Sequence, residues 1–524
     1  MKRMSLNHEN SFSQRCFGSS SSFAFFMSAI STEKKSKGSL NTMQLHDYSN
    51  AHPWERATAD AEKSRYVFPD NDLITSLVAI YFETIHPIFP VLHRPTFTKD
   101  VANGLHLRDE YFGATLLLVI SVASRYSDDP RVLADPRSKL SAGWDFVKQA
   151  PLFKKAVLSP PSLYELQSPV LGVIYSIGTS TPRFSWTMVG VGLRAATEIG
   201  LHRRKPEGHK MTVDDELKKR SFWALIILDR LISLHLGRPV MMQEEDFDLE
   251  PPIECDNEYW DIGPGGEVNF CQPADKPSKI SYFNAQIRLS VIMSVVVRML
   301  YSIKKGRDML GLTGKGWEER LVSDLDSSMN DWMKTIPVHL RWDPDHNNTP
   351  FLYQSVVLYT AYYMLQIHIH RPFLHTSSPL SESSLTISTT AARTCTRILR
   401  VHRIKIKTTV PHILIGALVS GTVLAMNIWS YKRSGHAPNA EDMAGFEQCL
   451  AAFIHAADTW NIAGRSLAWL LLRSLDFWMI FLFLSPILGK TLLPHQNLLP
   501  NGARSALNQK HGPSTLVPWP SLLW

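Results

Sequence analysis

Along most of this chain apolar residues return every three or four positions, and nowhere does strict alternation survive six residues. The first pattern places them on one face of an α-helix, whereas the second would mark a strand. Leu73, Leu77, Ile80, Tyr81 and Ile85 open the series and His86-Pro87 closes it, because a residue ahead of proline is pushed out of the helical region. Helices are predicted next over Tyr111–Tyr126, broken by Asp128-Asp129-Pro130, and over Leu163–Ile177 with Ser162 as cap. Trp186–Leu201 follows, with Gly190 and Gly192 allowing a neighbouring helix to come close. Beyond a loop rich in acids, Pro and Gly over 243–280, helices are expected at Tyr282–Ile303, Trp317–Trp332 and Leu352–Ile369. Residues 376–384 read as loop, and Ala391–Ile406, His412–Trp429, Phe446–Trp460 and Leu467–Leu484 complete the set. No Asn-Gly or Asp-Gly turn joins two β-like runs, so the predicted fold class is all-α.

The most informative stretch is 212–252, TVDDELKKRSFWALIILDRLISLHLGRPVMMQEEDFDLEPP. Thr212 and Asp215 have the spacing of reciprocal N-terminal capping, and Asp214, Asp215 and Glu216 put negative charge at the positive end of the helix dipole. Gly237 and Pro239 form the stop. The run from Phe222 to Leu236 is apolar nearly all round, which predicts burial on every face. Asp229 and Arg230 stand inside it. Adjacent helical residues point in different directions, so Asp229 needs a partner other than Arg230, and Arg238 or Arg194 is expected to supply a guanidinium. That expectation makes Asp229 structural, and Asp229→Ala a large loss of stability.

Several motifs resemble one family. Leu228-Asp229-Arg230, then Leu236-Gly237-Arg238-Pro239, then Asp246-Phe247-Asp248-Leu249-Glu250-Pro251-Pro252 are similar to the middle homology region of fungal zinc-cluster transcription factors. Glu198-Ile199-Gly200-Leu201-His202 resembles that family's Gly-Leu-His helix end, and His86-Pro87-Ile88-Phe89-Pro90-Val91-Leu92-His93-Arg94-Pro95 resembles its opening turn. The resemblance covers roughly residues 75–375 and continues weakly to about 475. It implies a nuclear regulator of RNA polymerase II transcription, with Asp229, Arg230, Gly237, Arg238 and Pro239 as the family-like structural or regulatory positions. It implies no catalytic or metal-ligating residue; a ligand site stays unassigned. The implied partners are the transcription machinery or co-regulators, with a homodimer left open and no membrane. Promoter DNA would be reached only through the family's six-cysteine, two-zinc module, and zinc is the cofactor implied for that module.

Composition changes this picture in one respect. The five cysteines stand at 16, 255, 271, 395 and 449, and none shares Cys-x-x-Cys spacing, so the zinc cluster is not encoded in these residues and no cofactor is expected in the chain. The net charge of +7 over 524 residues is too small to mark a dedicated nucleic-acid surface. With 44% hydrophobic residues the chain can build a large core. The expected organisation is a disordered segment over 1–65, the regulatory region over 66–342, a C-terminal helical part of the same domain over 343–485 and a disordered tail over 486–524. Phe23–Ala29 follows Lys2 and Arg3 only after a polar stretch, which argues against a secretion signal.

Candidate chemistry is sparse. His368 and His370 are two apart, so they face different sides of a helix rather than one metal. Asp128-Asp129 and Asn71-Asp72-Leu73-Ile74-Thr75 begin like the magnesium motifs of all-α terpene synthases, yet Val132 and Ala79 stand where further acids belong. Arg397, Arg400, Arg403, Lys405 and Lys407 read as a solvated helix face, with a nuclear-import or nucleic-acid patch as the alternative. In Leu467–Leu484, Arg473 and Asp476 at i and i+3 read as a pair within a buried amphipathic helix rather than a membrane span. The reading from another class is an all-α enzyme or small-molecule-binding protein with a hydrophobic cavity.

Overall fold

The computed structural model describes residues 66–474, apart from 152–159, 181, 183, 315 and 407. The expected disorder of 1–65 and 486–524, and the pairing of Arg473 with Asp476, lie outside the described residues. The fold is all-α as predicted. The helices are α1 (Asn71–Thr84), α2 (Arg94–Ala102), α3 (Glu110–Ser124), α4 (Trp144–Val147), α5 (Leu163–Ile177), α6 (Phe184–Glu198), α7 (Val213–Leu236) and α8 (Ile280–Val295). They continue as α9 (Lys304–Met309), α10 (Trp317–Lys334), α11 (Thr349–His370), α12 (Ser381–Lys405), α13 (Pro411–Arg433), α14 (Ala440–Ala456) and α15 (Asn461–Ser474). A π-helical turn, Val296–Leu300, extends α8.

Local chemistry explains the ends. Ser162 and Glu165 form a capping box at α5, and Thr212 and Asp215 form another at α7. Each satisfies backbone donors that a helix start leaves free. At the far end of α7 Gly237 takes φ 65°, and the amides of Gly237 and Arg238 both bond to the Ser233 carbonyl. That left-handed closure is why glycine sits there.

Several elements depart from the sequence expectation, the unpredicted helices α2, α4 and α9 among them. The acid- and Gly-rich loop holds a short antiparallel hairpin, β1 (Trp260–Ile262) with β2 (Val268–Phe270). Three residues a side is too short to leave an alternation signal. Helix α12 begins at Ser381, ten residues ahead of the predicted start, inside a segment read as loop. Its first turns are Ser- and Thr-rich, and Thr386, Thr390 and Thr394 satisfy their hydroxyls on carbonyls four residues back. Such residues lower helix propensity without forbidding a helix that packing stabilises.

One continuous apolar core runs from Leu73 to Leu470. Helix α7 lies inside it, against α5, α6 and α8. Helices α8 and α11 run parallel, with Gln354 bonding the Lys279 carbonyl near their starts and the Tyr301 hydroxyl reaching the His368 carbonyl near their ends, and Arg230 of α7 meets Ser290 of α8. The C-terminal helices α12 and α13 pack on α11, α14 packs on α12 and α13, and α15 covers α13 and α14. Two helical segments, Ile280–Leu300 and Pro411–Arg433, are long and apolar enough to cross a membrane, yet both are mostly buried against other helices.

The two α6 glycines differ in what they do. A Cβ on Gly192 would lie 2.9 Å from a Leu225 methyl and 3.1 Å from Pro169, whereas one on Gly190 would meet only the Met241 methyl at 3.7 Å. Gly192→Leu is therefore expected to lower stability by about 1–3 kcal/mol through overpacking. Gly190→Ala should raise it by up to about 1 kcal/mol through helix propensity. Urea unfolding of both variants checks the contrast; equal effects would contradict it.

Candidate functional site: the buried charges of the central helix

The run Phe222–Leu234 of α7 is buried at every position, as its all-round apolar pattern predicts. Its N-terminal half carries charges that do not face water. Glu216 and Arg220 are both fully buried and bond one turn apart, Arg220 Nε donating to Glu216 Oε1 at 3.1 Å. Lys219 Nζ reaches Glu216 Oε2 at 2.9 Å. Arg220 also donates to Asn257 Oδ1 at 3.2 Å and to the Cys255 carbonyl at 3.1 Å, and lies over the Trp260 ring. Glu216 Oε1 accepts from the Ile253 amide at 3.1 Å. One ion pair thereby holds the 253–260 loop.

That loop in turn holds the opening turn. Asn257 Nδ2 donates to the Leu92 carbonyl and contacts His86 Nε2, both at 3.2 Å. His93 contacts the Asn257 carbonyl and stacks on Trp260 with centroids 4.6 Å apart. Burial, with Arg220 close by, holds the His86 imidazole well below the usual histidine range. His86 and His93 belong to the opening-turn motif, whereas the roles of Arg220, Asn257 and Trp260 are not evident from sequence. Lys219 and Arg220 look like solvated charges at a helix start, and only the Glu216–Arg220 spacing of four signals a pair.

The C-terminal half of α7 works on a second loop. Asp229, 2% exposed, accepts from the Met241 amide at 2.7 Å. Burial raises its carboxyl to about 6, against the opposing pull of the Met241 and Met242 amides, Arg230 and Ser233. The expected guanidinium partner is absent. Arg194 is exposed, and Arg238 lies over the Trp186 ring at 4.9 Å. The physical reason is Gly237: its left-handed turn folds the chain back so that backbone amides reach the carboxylate first. Arg230 is fully buried, donates to Ser290 Oγ at 3.0 Å, pairs with Glu244 and lies over Phe247 at 5.7 Å. Ser294 donates to the same Glu244 carboxylate at 2.9 Å. The Pro239 carbonyl accepts from Ser233 Oγ at 3.2 Å.

The other family-like motifs meet here too. Asp248 ties the loop after α7 to the end of α6, through its amide to the His202 carbonyl and its carboxylate to the Arg204 amide. Trp223 Nε1 donates to the Glu250 carbonyl. The chemistry available is that of a clasp, with carboxylates and guanidinia aimed at loop backbone.

The remaining sequence candidates fall elsewhere. Asp70, Asp72 and Asp129 do converge, but on the guanidinium of Arg131, at 3.4, 2.7 and 2.8 Å. His370 bonds Ser384 and Asp326, each at 3.1 Å, while His368 is buried on another face with both ring nitrogens unpartnered. Among the described residues no three His, Cys, Asp or Glu side chains are grouped to hold a metal, so these residues do not fit the zinc of the family's module. The basic stretch of α12 is partly engaged: Arg397 reaches Glu441, Arg403 Gln448 and Lys405 Asp345. Lys407 lies outside the described residues.

A buried helix thus staples the turn after α1, the end of α6 and the loop following itself. Residues 78–333 match the family model described as fungal specific transcription factor domain. It is 28% identical over 382 residues to an ABC-transporter-regulating transcription factor of Aspergillus fumigatus, covering 69% of this chain and 40% of that protein. It is 23% identical over 356 residues to the nitrogen assimilation transcription factor nirA of Emericella nidulans, covering 64% and 38%. To the transcriptional activator protein acu-15 of Neurospora crassa it is 26% identical over 309 residues, covering 57% and 31%. The matched region is thus less than half the length of these relatives.

Asp229 has a distinctive pH signature. Its folded value, about 6, lies above the unfolded value near 3.9. Its contribution to stability is therefore fully present below pH 4 and lost as pH rises through 6. Asp229→Asn keeps an acceptor for Met241 and cannot ionise. Relative to wild type it should gain roughly 2 kcal/mol between pH 4 and pH 7.5. Taking the difference removes His86, whose depressed value works in the opposite direction. Asp229→Ala leaves the Met241 amide unbonded and should cost about 1–3 kcal/mol. Urea titrations of all three proteins at both pH values check this; a pH-independent wild-type-to-Asn difference would contradict the buried carboxylate.

Proposed function

We propose that this chain is the regulatory region of a fungal transcription regulator, acting in the nucleus on RNA polymerase II transcription through co-regulators or the transcription machinery. The observation that carries the reading is the domain match over 78–333, joined to relatives named as transcription factors. The clasp geometry supports it, because every family-like position serves to hold loops to a helix. Asp229, Arg230, Gly237, Arg238 and Pro239 are read as architectural. They set the shape of a binding surface rather than touch a reacting group. Promoter DNA would be reached through a six-cysteine module that these 524 residues do not encode.

Two measurements test this. The full chain joined to a foreign DNA-reading module should change transcription of a reporter carrying that module's site. Asp229→Asn should retain the effect at matched protein level. No change in reporter output at equal nuclear level would sink the reading. The chain alone should show no sequence-selective, salt-resistant DNA shift at physiological ionic strength, because specific recognition needs base contacts beyond a modest net charge. A selective shift would show that these residues read DNA themselves.

A further inference from the structure

The described cysteines differ in access. Cys255, Cys395 and Cys449 are buried, whereas Cys271 is exposed. Cys271 directly follows β2, and its backbone is fixed by the hairpin. The register pairs Trp260 with Phe270, so one residue further on Tyr259 stands opposite Cys271. The Cys271 amide donates to the Tyr259 carbonyl at 3.0 Å. The same carbonyl accepts from the Cys255 thiol, 3.6 Å away. One oxygen thus gathers the Cys255 sulfur and the Cys271 backbone.

The Cys255 side of the pair is held from behind. Cys255 packs with Leu217 and Trp260, and its carbonyl accepts from Arg220 at 3.1 Å and from Trp260 Nε1 at 3.3 Å. Burial raises its thiol above the ordinary range, against the pull of Arg220 and of the Cys271 amide, which faces the sulfur. A thiol so placed is shielded from solutes but not from Cys271. A disulfide needs its Cα atoms about 4.4–6.8 Å apart, a span within reach when one sulfur lies against the other residue's amide. An accessible thiol beside a sheltered one is the arrangement in which the first is oxidised and the second resolves it.

We propose that Cys271 and Cys255 form a peroxide-modification site, in which Cys271 is oxidised first and Cys255 closes a disulfide onto it. The Cys271 thiolate attacks one oxygen of hydrogen peroxide and the O–O bond breaks. The departing hydroxide takes up the proton that the thiol lost and leaves as water, so Cys271 becomes a sulfenic acid. The Cys255 thiol then loses its proton and attacks the sulfenic sulfur. The S–O bond breaks, and its hydroxide leaves with that proton as a second water. Two electrons pass from the two thiols to peroxide, and a dithiol reductant returns them. The new bond ties the end of β2 to the loop that Glu216 and Arg220 hold, so the oxidised chain carries that part of the clasp covalently.

The test uses the full-length chain, reduced, exposed to hydrogen peroxide while folded, then blocked with N-ethylmaleimide in urea. A Glu-specific protease cuts after Glu258 and Glu267, between the two cysteines. The piece carrying Cys255 and the piece carrying Cys271 should stay joined until dithiothreitol is added. Cys271→Ser changes an exposed position and should remove the link. In Cys255→Ser the resolving thiol is gone, and dimedone should label Cys271 at least about tenfold more than in wild type. Should that variant fail to fold, the wild-type digest decides alone. Cys255 fully blocked by N-ethylmaleimide after peroxide, whether Cys271 is unreacted or carried on to sulfinic acid, overturns the proposal. So does a link that forms only when peroxide is added to the urea-unfolded chain, or one that joins Cys271 to a second copy.

Discussion

The structure depends on burying ionised groups along a helix with no face left for water. Removing a charge from water costs several kcal/mol unless a partner and hydrogen bonds replace the lost solvation. In α7 the replacements come from loop backbone and loop side chains. Glu216 and Arg220 hold the Ile253 amide, the Cys255 carbonyl and Asn257. Asp229 and Arg230 hold the Met241 amide, Glu244 and Ser290. An apolar helix would bury as well but would leave these loops to choose their own paths. The charges turn a packing element into one that fixes two surface loops.

The two halves of the clasp have different electrostatic character. The Glu216–Lys219–Arg220 cluster has counter-charges within the same helix. Asp229 is held mainly by backbone dipoles, which offset its desolvation only in part, so its carboxyl stays raised to about 6. The loop that it holds is the one weakened as pH rises toward neutrality. The loop held by Arg220, with His86 buried beside it, is the one strained by acid. Between about pH 4 and pH 6 the two groups therefore act on stability in opposite directions.

The all-α class, the bounds of α7, its Thr212–Asp215 capping box and the Ser162 cap were legible because their causes are local: a Ser or Thr at the helix start, an acid three residues on, and a three- to four-residue apolar period. The importance of Asp229 was legible too, but its partner was not. A carboxylate in an apolar helix suggests a guanidinium, whereas the turn at Gly237 delivers backbone amides, which no side-chain pattern advertises. The burial of Arg220 was not legible, because a Lys-Lys-Arg run at a helix start looks solvated and its ligands come from residues 35 and 37 positions away. The early start of α12 was hidden by Ser and Thr whose hydroxyls bond within the helix.

The most direct measurement of this account is a double-mutant cycle between Glu216 and Arg220, using Glu216→Gln and Arg220→Met, with unfolding free energies from urea titration. The account predicts that Arg220→Met alone costs about 1.5–3 kcal/mol, because Glu216 keeps Lys219 and the Ile253 amide but loses its charge-assisted bond from Arg220. The double variant should lose at least about 1 kcal/mol less than the sum of the two single losses. Losses that add within about 0.5 kcal/mol would show that the two side chains do not act as a unit, and would contradict a central helix whose buried charges hold the loops around it.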